Sequence, residues 1–261
     1  MVAYELITLA PDPAASGIVT LTLDNPAKRN VLSFPMLGEL RAAFEEVAAS
    51  DALGVVLAAN GPVFCSGHDF ADMAGADLRT ARDLMRRCTD VMTVIQQVPQ
   101  VVLARVHGLA TAAGCQLVAS CDLAVAGASA AFATPGGKGG LFCHTPMVAV
   151  ARNVGRKRAA ELAFTGDTID AATAADWGLV NRAVPDDELE TAARALLVRA
   201  CRGSAYSKAL GKATLYQQLD QSQAEAYRYA LEVMAAATQT ADAQEGVASF
   251  LEKRRPKWVG R

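Results

Sequence analysis

Two segments place residues where they could do chemistry. Residues 60–70 (NGPVFCSGHDF) and 107–122 (HGLATAAGCQLVASCD) each follow a run of β-branched and small apolar residues, and each sets glycine beside small side chains. A small residue and a glycine at a strand-to-helix junction leave backbone N–H groups exposed. Two such junctions side by side would aim two donors at one carbonyl oxygen, the arrangement that stabilises a developing oxyanion. The same glycines also suit tight turns and close packing of a helix on a sheet. Spacing alone leaves both readings open.

The elements that must position these loops are legible from periodicity. GIVTLTL (17–23), GVVLAA (54–59), VVLARV (101–106) and LAVAG (123–127) read as buried strands with helical patterns between them. That alternation predicts βαβ units around a buried sheet, an α/β fold. Ser33 is placed to cap a helix running through PMLGELRAAFEEVAAS, with Met36, Leu37, Leu40, Phe44 and Val47 on one face. A second helix spans about 78–97. From about Thr145 the sequence turns Ala- and Leu-rich, through RKRAAELAFTG, DDELETAARALLVRA and a stretch over 221–254. No linker or repeat separates the halves. The expectation is one domain, with an α/β core over 1–145 and a mainly helical region over 146–261.

With 261 residues, 52% of them hydrophobic, the chain can bury a large core. Its 25 basic and 27 acidic residues are spread along the sequence for a net charge of -2. That balance gives no reason to expect nucleic acid or an anionic membrane as partner, so any anion must meet a local patch. No apolar run approaches the roughly 20 residues a membrane helix requires. The six cysteines form no C-x-x-C pair, and the opening MVAYELITLA has neither a basic start nor a long apolar core. A reducing cytoplasm is the expected setting.

Six collinear motifs resemble the enoyl-CoA hydratase/isomerase (crotonase) superfamily: NPAKRNVLS (25–33), FCSGHDF (64–70), VHGLATAAGCQLVASCDLAVA (106–126), FATPG (132–136), FTGDTIDAATAADWGLVNRAVP (164–185) and FLEKRRPKW (250–258). The resemblance implies a spiral ββα core with a C-terminal helical region, a homotrimer or dimer of trimers, and a fatty acyl-CoA thioester as ligand. No metal or resident cofactor is implied, since coenzyme A enters with the substrate. Matched residue by residue, the resemblance puts the oxyanion donors at the backbone of Ser66 and Ala113. It puts Lys28 and Arg29 near the CoA phosphates, where point charges are apt, and the backbone of His68, Asp69 and Phe70 beside the adenine. Phe250, Lys253 and Lys257 fall where the family's last helix helps cover CoA, sometimes that of a neighbouring subunit. A solvated basic helix end is the alternative for these three.

The chain also departs from the pattern. Hydratases of this family carry a glutamate where AAGCQLVAS has Gln116, and a second where FATPGGKGG has Gly136. A neutral amide cannot take a proton from water, and glycine carries no side chain at all. GHD in the first loop with ATPG, GLFC and TP in the third resembles the divergent branch typified by the third of the enoyl-CoA hydratase domain-containing proteins. Candidate substitutes for the missing carboxylates are His68, Asp69, Cys143 and His144. Asp69 competes as an N-cap, and His68 as a solvent-facing residue beside the adenine. Cys143 and His144 offer a thiolate or an imidazole to the acyl group, although residues adjacent in sequence often face apart. Two readings therefore stand: an acyl-CoA lyase or isomerase that moves its proton without glutamate, or a non-catalytic acyl-CoA-binding or regulatory homologue.

Overall fold

The computed structural model describes residues 3–260. Its elements in chain order are strands β1 (Ile7–Pro11) and β2 (Ile18–Leu23), helix α1 (Phe34–Ala48), strands β3 (Gly54–Ala59) and β4 (Val63–Cys65), and helix α2 (Leu78–Gln97). Strands β5 (Val101–Val106) and β6 (Leu109–Thr111) lead to helix α3 (Ala113–Ser120), and strands β7 (Leu123–Gly127) and β8 (Ala131–Ala133) lead to helices α4 (His144–Val154) and α5 (Arg156–Thr165). Then come strand β9 (Ile169–Asp170), helix α6 (Ala171–Trp177), strand β10 (Arg182–Val184) and helices α7 (Leu189–Ala200), α8 (Ala205–Gln218), α9 (Gln223–Ala237) and α10 (Ala241–Leu251).

The four strands expected from sequence are β2, β3, β5 and β7. They pair in parallel in that order, with β10 parallel to β7 and β1 antiparallel on the outer edge of β2. Every residue of β3 is buried, because the sheet is covered on both faces. Val55, Leu57 and Ala59 point into the main core with α1 and α2, while Val56 and Ala58 meet Leu189, Ala193 and Leu197 of α7. A continuous apolar run, rather than an alternating one, is the sequence form of such a strand. Helix α1 begins where Ser33 caps it, its Oγ accepting from the Met36 N–H at 3.4 Å, and Met36, Leu37, Leu40, Phe44 and Val47 are all buried.

After each of β3, β5 and β7 the chain turns into a three-residue strand before its helix, giving β3-β4-α2, β5-β6-α3 and β7-β8-α4. The short strands form a second sheet, β4-β6-β8 in parallel with β9 antiparallel at the end. This repeat is the spiral ββα core. The later region is mainly helical, but β9 and β10 return from it to the two sheets. Val150, Val154, Ala159, Leu162, Ala171 and Ala174 of α4 to α6 share the main core. By contrast, α8 buries only Lys212, α9 buries nothing and α10 buries Asp242 and Ser249. Their apolar side chains, Tyr227, Leu231, Met234, Phe250 and Leu251 among them, stay exposed. No described helix is long and apolar enough to cross a membrane.

Candidate active site

Parallel pairing of β4, β6 and β8 brings the segments that follow them side by side. Those segments are Ser66 to Phe70, Ala112 to Gln116 and Thr134 to Cys143, so the repeat itself gathers the residues singled out in the sequence. Ligands of parallel sheets commonly bind beyond the carboxyl ends of the strands.

The first two segments touch. Gly67 has φ +87°, and a Cβ placed on it would lie 3.1 Å from the Ala112 Cβ and 3.3 Å from the Ala113 nitrogen. Only glycine allows both that conformation and that approach. Opposite it, Ala112 is held at φ 52°, ψ -118°, a region alanine avoids. The Ala112 N–H donates to the Ala133 carbonyl at 2.9 Å, and its own carbonyl accepts from Gln116 N–H at 3.1 Å. The strain is thus fixed from both sides, and it sets Ala113 N–H as the first free donor of α3. Backbone strain of this kind concentrates at functional sites.

Ser66 is not available as the second donor. Its N–H donates to the Arg29 carbonyl at 3.1 Å and its hydroxyl to the same oxygen at 3.2 Å. Both groups tie the NPAKRN turn to this loop. The next N–H on the far side of Gly67 belongs to His68, for which no acceptor is found among the described residues.

The His68 ring is not a solvent-facing neighbour of a nucleotide either. Its Nδ1 lies 3.4 Å from the Leu32 carbonyl, and its Nε2 is buried without a partner. Burial lowers its pKa, opposed by the Leu32 carbonyl and Asp72. A histidine whose folded pKa lies below its unfolded one contributes stability that is complete above the unfolded value of about 6.5 and is lost as pH falls through the folded value. Thermal stability should therefore drop on acidification below about pH 6.5, and the drop should shrink in His68→Gln. An unchanged acid limb in the variant would assign that loss to other groups.

Of the two positions where the resemblance implies glutamate, Gln116 sits in the first turn of α3, 4% exposed, with its Oε1 unpartnered. Gly136 lies in the 3-10 turn Pro135–Gly139, and the chain has closed over it. A Cβ there would stand 2.1 Å from the Leu141 carbonyl oxygen and 2.8 Å from Cys143 Sγ. Cys143 thus occupies the direction a side chain at 136 would take. Cys143 is buried and His144 exposed, so the two face apart and form no thiol–imidazole pair. Burial raises the Cys143 pKa, partly offset by a hydrogen bond at Gly136, which keeps the group a thiol rather than a thiolate. Asp69 takes the capping role: its Oδ1 accepts from Ala71 N–H at 3.0 Å, and its Oδ2 lies 3.5 Å from Lys28 Nζ.

Lys28, Arg29 and Phe70 are exposed around this loop. What places them is Asn30, a residue the sequence reading did not single out. It is fully buried, accepts from Asn25 N–H at 2.8 Å and donates to the carbonyls of Asn60 and Val63, both at 2.9 Å. Its signal was an asparagine inside a tight turn, which suits its φ of 52°. Phe250, Lys253 and Lys257 lie on or after α10, which packs on α8.

The sequence profile of the enoyl-CoA hydratase/isomerase family matches residues 14–261. The chain belongs to that family. Within it, the chain is 45% identical over 244 residues to the rat mitochondrial enoyl-CoA hydratase domain-containing protein 3, covering 93% of this chain and 81% of the relative. The human protein of that name is 43% identical over 246 residues, with 93% and 80% covered, and its crystal structure superposes with a TM-score of 0.90 over 97% of this chain and 100% of that one at 42% identity. An enoyl-CoA hydratase structure from Mycobacterium smegmatis gives a TM-score of 0.93 at 46% identity, covering 97% and 99%. The crotonase fold and the branch resembling domain-containing protein 3 are therefore shown. Around the strained Ala112 turn of this family member stand an amide, Gln116, a glycine, Gly136, and a buried thiol, Cys143.

Proposed function

We propose that this family member binds an acyl-CoA thioester with its carbonyl oxygen between the N–H groups of His68 and Ala113, and that two-glutamate hydration is not its reaction. The observation that carries the reading is the strained Ala112 turn seated against Gly67, which leaves two unspent N–H donors on adjoining loops. In this reading Lys28 and Arg29 meet the CoA phosphates, and the backbone of His68, Asp69 and Phe70 borders the adenine.

The donors polarise the thioester and stabilise an enolate. Proton transfer falls to a group other than a carboxylate at 116 or 136, with the Cys143 thiol the nearest side chain to position 136. A second reading, acyl-CoA binding without turnover, draws on the same two positions. The exposed apolar side chains of α8 to α10 support a homotrimer or dimer of trimers, in which Phe250, Lys253 and Lys257 would serve a neighbour's CoA. The cysteines, five of the six buried, are in keeping with a reducing compartment such as the cytoplasm.

The test is to titrate the protein with cinnamoyl-CoA and crotonyl-CoA. Binding with a red shift of the cinnamoyl absorbance, from hydrogen bonding to its carbonyl, is expected. Crotonyl-CoA should lose its conjugated absorbance at least about 10⁴-fold more slowly than with a two-glutamate hydratase, since each acid/base group contributes about 10²- to 10⁴-fold. Hydration at ordinary rates would overturn the claim about the reaction, and absence of binding the claim about the ligand.

A further inference from the structure

The outer face of α2 carries charge that the chain's own contacts leave unused. A cavity of about 470 Å³ opens between the starts of α1 and α2, lined by Phe34, Arg79, Thr80, Arg82, Asp83 and Arg86. A second, of about 340 Å³, shares Arg86 and continues along the two helices past Gly38 and Arg41 to Arg87 and Asp90. A Cβ at Gly38 would meet nothing within 4 Å, so the groove is open there. Its lining holds Arg41, Arg79, Arg82, Arg86 and Arg87 against only Asp83 and Asp90, in a chain whose net charge is -2. Both carboxylates are already paired: Asp83 with Arg86 and, at 2.9 Å, with Arg87, and Asp90 with Arg41 at 3.1 Å. Arg79 and Arg82 have no acidic partner among the described residues. Arg79 lies in the first turn of α2, where the helix dipole disfavours a cation. Arg82 follows three residues on, close enough for the like charges to repel. The placement destabilises the isolated chain and is favourable only against an anion from outside.

The groove begins beside the donor loop. The Phe34 N–H donates to Asp72 Oδ2 at 3.0 Å. Leu32, two residues before Phe34, donates from its N–H to the Gly67 carbonyl at 2.7 Å and pairs with His68. A surface resting on the arginines therefore lies next to the loop that offers the His68 N–H. We propose that the acyl group also reaches this site on an acidic carrier protein. Its surface carboxylates meet Arg79, Arg82 and Arg86, and its phosphopantetheine arm runs past Phe34 to the donor turn. The inference rests on the thioester reading above. An acyl-CoA and a carrier-bound thioester share the acyl group, the thioester and the pantetheine, and differ only beyond the phosphate, where one has a nucleotide and the other a protein. Exposed charge pairs contribute little singly, but several together steer encounter and fix the orientation of a partner.

The experiment is calorimetric titration of the full chain with butyryl-CoA, butyryl-pantetheine and an acyl carrier protein loaded with a butyryl group. At about 0.15 M ionic strength the loaded carrier should bind about 10-fold more tightly than butyryl-pantetheine, as a few exposed charge pairs together allow, and near about 1 M that advantage should disappear. In the double variant Arg79→Glu, Arg82→Glu the advantage should also vanish, while butyryl-CoA affinity stays within about 2-fold because its site is separate. Equal wild-type affinity for the carrier and for butyryl-pantetheine overturns the inference alone, as does an advantage that survives high salt or the charge reversal. A loss of butyryl-CoA affinity in the variant, with butyryl-pantetheine still bound, would assign the two arginines to the CoA phosphates and overturn it too. Failure of all three to bind the wild type removes the thioester reading beneath it. The wild-type comparison decides the matter without the variant.

Discussion

Placing glutamate at 116 and at 136 is expected to give opposite results. Gln116→Glu should fold, since Gln116 already fills its place at the same length and leaves Oε1 unpartnered. The carboxylate would be buried, so its pKa should rise, and a slow hydration of crotonyl-CoA should emerge with increasing pH as it ionises. Gly136→Glu should fail. The Leu141 carbonyl stands 2.1 Å from where the new Cβ would be, and the Leu141 N–H donates to the Gly136 carbonyl at 3.0 Å, locking that turn shut. Even Gly136→Ala must displace backbone, at a cost of about 1–3 kcal/mol or more. It should lower the midpoint of urea unfolding accordingly, with the glutamate variant lower still. If Gly136→Glu is as stable as the wild type, the 135–143 turn is open rather than closed, and position 136 remains a site for a catalytic carboxylate.

This asymmetry was invisible in the sequence, where Gln116 and Gly136 were two equal departures from one pattern. The difference lies in the return of Leu141 and Cys143 onto residue 136, a contact that no periodicity encodes. The long strands were legible because burial on both faces writes them as continuous apolar runs, as in GVVLAA. The three-residue strands β4, β6 and β8 were not, since three residues establish neither a period nor a length. Yet those short strands place the loops in one site. The donor turn was likewise legible to within two residues: glycine marked where the backbone turns, but which N–H of Ser66 and His68 is free depends on the Arg29 carbonyl across the loop. That carbonyl is placed by Asn30, whose partners Asn60 and Val63 lie 30 and 33 residues away.

The loops after β4 and β6 are fastened by close packing and by hydrogen bonds to buried Asn30 and the Arg29 carbonyl, whereas the helical tail is fastened by charge, and the second large effect should appear there. Lys212, the one buried residue of α8, donates from Nζ to the carbonyls of Ile95 and Gln100 at 2.7 and 2.8 Å and to Asp122 Oδ2 at 2.6 Å. Asp122 also accepts from Val102 N–H at 2.7 Å and from Tyr216 Oη at 2.8 Å. One lysine thereby ties α8 to the end of α2, the start of β5 and the residue opening β7. Burial pulls the Lys212 pKa down while Asp122 pushes it up, and burial together with Asp122 raises that of Tyr216. Removing one member of such a pair leaves a buried charge uncompensated, which costs about 3–5 kcal/mol, a large part of a typical total of about 5–15 kcal/mol. Lys212→Met should therefore lower the urea midpoint sharply and open the segment between α7 and α8 to protease. Adding Asp122→Asn should recover part of the loss, because the stranded carboxylate is then gone, and the double-mutant cycle reads the coupling directly. A loss below about 1 kcal/mol in Lys212→Met would mean that solvent reaches Asp122 and that α8 is held by its apolar contacts instead.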